Sequence, residues 1–274
     1  MGRSLVFGLS GQVGAALLAQ GDRRLFELLA VSREAQPSHP GVEWRTGTLE
    51  NCAEPPPDCP RILSLGPLHA FSEWVLRARP KVARIVALGS TGRLHKRDSP
   101  SAAERADAQR LQEAEDALLE FGRAAGVAVT VLRPSLLYGN GRDRSLTPLA
   151  ARARRSRWLP WPKSATGLRE PVHVDDVARA LLACLDAEDS HGRGFDLPGG
   201  EALGFDAMVE RMLSRHAPGA RLLRLPDAFF RAGAGLAGKS EGAKGWLWRA
   251  RRDQLADATP ARECFGYAPR AFEP

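Results

Sequence analysis

Apolar positions in this chain come in short runs separated by stretches of helical period. Leu5-Val6-Phe7 ends in glycines at 8, 11 and 14 and passes into Ala15-Ala16-Leu17-Leu18-Ala19, which predicts a strand, a tight turn and a helix. Further strands are predicted over Phe26–Arg33, Val42–Arg45, Arg61–Pro67, Val82–Thr91 and Val127–Leu132. Between them, Ala70–Ala78 and Ala102–Ala125 carry apolar residues at helical spacing, the second with Leu111, Ala114, Leu118 and Phe121 before Gly126 ends it. Pro55-Pro56-Pro57 cannot be helix interior and reads as a loop. Strands alternating with helical crossovers predict an α/β fold, a doubly wound parallel sheet covered on both faces.

Beyond Gly141 arginine, tryptophan and proline become frequent, which predicts two regions, 1–141 and a smaller 142–274, with 171–200 returning to pack on the sheet. Asp175–Leu185 reads as a helix whose first-turn acids suit its dipole, Phe195–Pro198 as a short strand, and Phe205–Arg215 as an amphipathic helix. Residues 226–252, with Phe229, Phe230, Trp246, Trp248 and Arg249, would suit a membrane or partner surface, but packing on the main domain is favoured.

A chain of 274 residues buries a full core without staples, and its four cysteines, 52, 59, 184 and 264, are scattered with no metal-ligand spacing. Reduced thiols, no bound metal, no leader pattern and no apolar run near the ~20 residues of a span predict a cytoplasmic protein. The net charge of +7 concentrates in Arg142, Arg144, Arg152, Arg154, Arg155 and Arg157, with Lys163 and Arg169 following. Without a nucleic-acid motif, this cluster predicts a solvated helix face or a pocket for an anionic small molecule rather than DNA. A homodimer or protein partner stays open, because no residue pattern specifies either.

The glycine loop carries the clearest candidate chemistry. Gly8 allows the sharp turn, Gly11 lets backbone approach a pyrophosphate, and Gly14 brings helix and strand together. Ser10, Gln12 and Val13 lie around the helix start, where free amides favour a phosphate. Arg33, at the end of the second strand, favours the 2′-phosphate of NADP; Glu34 holding the ribose of NAD is the alternative. Leu65, Gly66 and Pro134, at the ends of later strands, complete the expected cofactor contacts, and Ser90 and Thr91 stand where ligands meet a parallel sheet.

Taken with Gly89-Ser90-Thr91, Leu132-Arg133-Pro134, Tyr138-Gly139 and Pro171-Val172-His173-Val174-Asp175-Asp176-Val177-Ala178, the loop resembles the extended and atypical short-chain dehydrogenases/reductases, NAD(P)-binding relatives of the sugar-nucleotide epimerases and dehydratases. From Arg133 through Ala178 the pattern is most similar to the branch that includes the accessory, cofactor-holding subunit of mitochondrial complex I. The resemblance implies a serine or threonine, matched by Ser90 or Thr91, and a Tyr-x-x-x-Lys pair in which the tyrosine moves the proton. Neither Tyr138 nor Tyr267 is followed four residues later by lysine. Aligning Glu115 with the glutamate usual after the pair puts Asp107 at the tyrosine's place and Leu111 at the lysine's. Lys96, in the polar loop His95-Lys96 to Ser99, is the replacement acid to consider, against a solvated lysine. The resemblance makes His173 a structural helix start. Arg133, Tyr138 and Arg169 are candidate substrate contacts, with ion pairing and loop capping as the alternatives for the two arginines. Two functions follow: an NADP(H)-dependent oxidoreductase or epimerase-like enzyme on an anionic small molecule, or a non-catalytic NADP(H)-binding sensor, assembly or structural protein.

Overall fold

The computed structural model describes residues 2–21, 27–52, 55–143, 145–236 and 240–274. The first half runs β1 (Ser4–Phe7), α1 (Gln12–Ala19), β2 (Leu28–Ser32), β3 (Val42–Thr46), β4 (Arg61–Ser64), α2 (Leu68–Ala78), β5 (Arg84–Leu88), α3 (Gly92–His95), α4 (Ala102–Ala125) and β6 (Ala128–Pro134). The second continues with β7 (Leu137–Tyr138), α5 (Leu146–Ser156), β8 (Trp158–Pro162), β9 (Leu168–Arg169), β10 (Val172–His173), α6 (Val174–Leu185) and β11 (Arg193–Leu197). It ends with β12 (Leu203–Gly204), α7 (Phe205–His216), β13 (Arg221–Leu225), α8 (Asp227–Leu236), α9 (Ser240–Arg251) and α10 (Thr259–Phe265).

Seven parallel strands form the central sheet in the order β11-β6-β5-β4-β1-β2-β3. The chain moves outward from β1 to β3, then crosses back to β4 on the other side of β1. The carboxyl ends of β1 and β4 therefore border the switch point, where open sheets leave a crevice. Period-2 alternation sorts the strand residues between two cores. Val6, Leu63, Val86 and Leu132 meet α1 and α6 on one face. Leu5, Phe7, Ile62, Ile85 and Val129 meet α2 and α4 on the other, with Phe7 edge-on to Trp74 at 4.9 Å. A third core joins α5, β8 and α7 around Trp161 and Met208.

The sheet's strands and their crossovers fall where the apolar runs place them, and the ends shift by a few residues. The run at 82–91 pairs only over Arg84–Leu88, because Gly89-Ser90-Thr91 turns away to start α3. Phe26, read as the start of the second strand, lies outside the described residues. The helix expected from Asp175 begins at Val174, with His173 as its cap: Nδ1 accepts from the Asp175 amide at 3.2 Å. Within residues 226–252 the two helices behave differently. Leu247 and Ala250 of α9 are buried, whereas α8 buries none of its residues.

Candidate functional site

Three glycines at the end of β1 build the floor of the site, and each is required for a different reason. Gly8 has φ +82°, and a Cβ there would stand 3.0 Å from the Gly66 nitrogen and the Leu65 carbonyl carbon. At Gly11, the N-cap of α1, a Cβ would meet the Gly8 carbonyl at 3.1 Å. Gly14 is the tightest, since a Cβ would sit 2.0 Å from the Leu9 carbonyl oxygen. Helix α1 therefore begins hard against the β1–α1 turn with free first-turn amides, and the buried Gln12 Oε1 has no hydrogen-bond partner among the described residues. This cradle fits the pyrophosphate of a dinucleotide. Arg33 is exposed one residue past β2, which pairs with β1 through Phe7 and Val31, so it stands at the same end of the sheet.

From the cradle a cleft of about 670 Å³ runs across the ends of β4, β5 and β6. Ser10, Gly11, Gln12 and Val13 line it with Leu65, Gly66, Ser90, Thr91, Lys96 and Pro134. The Ser90 hydroxyl accepts from the Gly92 amide at 3.0 Å, and the buried Thr91 hydroxyl lies 3.5 Å from the Pro134 carbonyl. Lys96 Nζ donates to Asp107 Oδ2 at 2.5 Å, so the side chain at the tyrosine's expected place is bound to the candidate replacement acid. Burial favours protonation of Asp107, but the hydrogen bond and charge of Lys96, with Arg110, outweigh it and hold the carboxyl below its ordinary range. His95, beside Lys96, lines the cleft and is shifted toward its neutral form by burial and by the charges of Arg169 and Arg249.

The three expected substrate contacts are engaged elsewhere. Arg133 is bound by Glu115 and, at 3.0 Å, by Asp196. Burial opposes its charge, but the hydrogen bonds and charges of both carboxylates outweigh this and raise its pKa. Arg169 is buried and donates to the carbonyls of Leu168, Arg252 and Arg249 at 2.7 to 2.8 Å, so it fastens the end of α9. Burial and the neighbouring charge of Arg249 push its pKa down to about 10. Tyr138 is buried, with its hydroxyl 3.3 Å from the Ala271 carbonyl, and it lines a separate cavity of about 310 Å³ behind β7. In this structure the two arginines are bound to protein groups and Tyr138 lies on the separate cavity rather than the cleft.

Other polar residues line the cleft. Arg142, from the arginine cluster, lines the cleft and meets no carboxylate among the described residues. Arg249 and Gln254 reach it from the far end of the sequence, Arg249 tied to Glu104 at 2.8 Å and Gln254 by its amide to the Leu168 carbonyl at 2.9 Å. No local pattern marks either of them, because only the packing of α9 brings them there. Arg144 lies outside the described residues, and Arg152, Arg155 and Arg157 are exposed on or beside α5.

The sheet order and glycine cradle define a Rossmann-type α/β protein. Residues 107–197, about a third of the chain, match the NAD dependent epimerase/dehydratase family. It is 31% identical over 98 residues to NADH dehydrogenase [ubiquinone] 1 alpha subcomplex subunit 9, mitochondrial, of Arabidopsis thaliana, a stretch covering 35% of this chain and 24% of that protein. The match thus spans about a quarter of the relative's length. In fold, the chain is similar to MoeE5 in complex with UDP-glucuronic acid and NAD, at TM-score 0.73 and 19% identity over 99% of this chain and 95% of that one. It is also similar to the dTDP-glucose 4,6-dehydratase DesIV of Streptomyces venezuelae, at TM-score 0.72 and 14% identity over 98% and 92%. A UDP-glucose 4-epimerase from Thermotoga maritima superposes at TM-score 0.72 and 14% identity, over 97% and 93%.

Proposed function

We propose that the chain binds a nicotinamide dinucleotide in this cleft, NADP(H) in preference to NAD(H), and holds it without tyrosine–lysine proton transfer, as a sensor, assembly or structural protein does. The carrying observation is the Lys96–Asp107 ion pair beneath an intact glycine cradle. The cradle supports binding, and a bound nicotinamide would supply hydride transfer. Asp107, an ionised carboxylate held by Lys96, has no proton to give, and Leu111 has none either. Arg33 offers a guanidinium to a 2′-phosphate.

A second reading rests on Arg142, which lines the cleft and meets no carboxylate among the described residues: an oxidoreductase or epimerase-like enzyme acting on an anionic small molecule, with Ser90 and Thr91 polarising the substrate and Lys96 as acid. Calorimetry with NADPH and NADH tests the binding. We expect NADPH to bind at least tenfold tighter and Arg33→Ala to remove the difference; absence of binding by either at millimolar concentration sinks both readings. Turnover of NADPH against carbonyl compounds and nucleotide sugars, abolished by Lys96→Ala, would establish the enzyme over the binding protein.

A further inference from the structure

Helix α8 is the one helix of eight residues or more, among those described, that buries none of its side chains. Phe230 faces the hairpin partner α9, 6.4 Å from Trp246 between ring centres, and α9 is anchored through Leu247 and Ala250. A second face, about a quarter-turn away, carries Phe229, whose ring meets the neighbouring Phe230 edge-on at 5.7 Å between centres. Phe229 is 60% exposed and Leu236 is 94% exposed, and their separation of seven residues puts them on one face, two turns apart. The strand pair leading into α8 adds Trp158 and Leu223, 48% and 40% exposed, which share one face by the parallel register of β8 and β13.

Three cations sit on or beside these same elements. Lys163 directly after β8, Arg221 at the start of β13 and Arg231 on α8 are exposed and meet no carboxylate among the described residues. The nearest acid, Asp227, is engaged by Arg251 and by the Ser164 hydroxyl. Glu210 and Asp206 are held by Arg224. A second copy of this face would set these cations against their own kind. Exposed phenylalanine, leucine and tryptophan beside unpaired lysine and arginine match instead the boundary of a bilayer with anionic headgroups.

We propose that α8, with the outer face of β8 and β13, docks the protein on an anionic lipid surface. No described helix is long and apolar enough to cross a membrane, so the contact is interfacial. Phe229 and Leu236 enter the acyl boundary while Lys163, Arg221 and Arg231 meet the headgroups. None of the side chains named for docking lines the cleft.

Flotation of the full chain with vesicles tests this, using pure phosphatidylcholine against phosphatidylcholine with one third phosphatidylglycerol. We expect at least tenfold more binding to the anionic vesicles, falling as salt rises. Phe229→Ser with Leu236→Ser should lower it about tenfold or more at unchanged melting temperature, and charge removal by Lys163→Gln, Arg221→Gln and Arg231→Gln should abolish the lipid preference. Equal binding to both vesicles, no binding, or binding unchanged by these variants overturns the proposal. So does a wild-type dimer by light scattering that Phe229→Ser and Leu236→Ser dissociate, which would make the stripe a contact between copies.

Discussion

Asp107 holds Lys96 at the wall of the cleft, and its ionisation can be read in stability. Its carboxyl is held below the ordinary range in the folded chain, so the ion pair stabilises the fold above the unfolded-state value of about 3.9 and loses that contribution as pH falls through the lower, folded value. The melting temperatures of wild type and Asp107→Asn should therefore differ most near neutral pH and converge on acidification. The gap will be small, since solvent screens the pair. Gly14→Ala brings a far larger penalty. Its Cβ would press on backbone that cannot rotate away, and we expect a loss of about 3 kcal/mol, read as a lower urea midpoint together with lost dinucleotide binding. The glycine turn was legible in the sequence because motif spacing is local. The Lys96–Asp107 contact was not, because it joins a loop to a helix eleven residues on, and nothing in the pattern fixes how α3 turns.

At the scale of elements, helices with a clean apolar stripe, such as α4 and α6, were legible from periodicity, with ends set by Gly126 and the His173 cap. The elements after Gly141 were harder to read. Helix α5 buries only Leu146, Ala150 and Ala153 beneath its arginines, so its composition suggests a charged surface before it suggests a helix. Two cations, the half-buried Arg133 and the buried Arg169, hold elements together in ways that composition hides. Arg133 joins β6 to α4 through Glu115 and to β11 through Asp196. Glu115→Ala would leave Arg133 with half its compensation in a buried place, and we expect a cost of about 3–5 kcal/mol by chemical denaturation. Arg169→Leu removes a donor from three carbonyls near the end of α9 and should cost roughly 2–4 kcal/mol, with Arg169→Lys recovering only part, because an ammonium lacks the planar fork.

For the molecule as a whole, the doubly wound sheet was legible because its buried strands read as near-continuous apolar runs and β1 opens on its phosphate turn. The position of α9 against the cleft was not, because it depends on contacts between residues more than 80 apart in the chain. If the cleft binds NADPH, ligand at 100 times its dissociation constant stabilises the folded state by about 2.7 kcal/mol, a rise of roughly 5–10 °C in melting temperature. Arg33→Ala should reduce this rise for NADPH at fixed concentration and leave that for NADH unchanged.

The attachment of α9 has a consequence for how the cleft opens. Its end is fixed to β9 by Arg169, by the Gly167 amide on the Ala250 carbonyl at 3.1 Å and by the Gln254 amide on Leu168, while Arg249 reaches across to Glu104 on α4. A wall pinned from both sides cannot act as a lid. Hydrogen–deuterium exchange at Arg252 and Gln254, whose amides are bonded in that junction, should already be slow in the free protein and change little on adding dinucleotide. On the α9 side the wall is built by folding, so a ligand entering there would meet no ordering cost of the kind a closing loop charges against affinity.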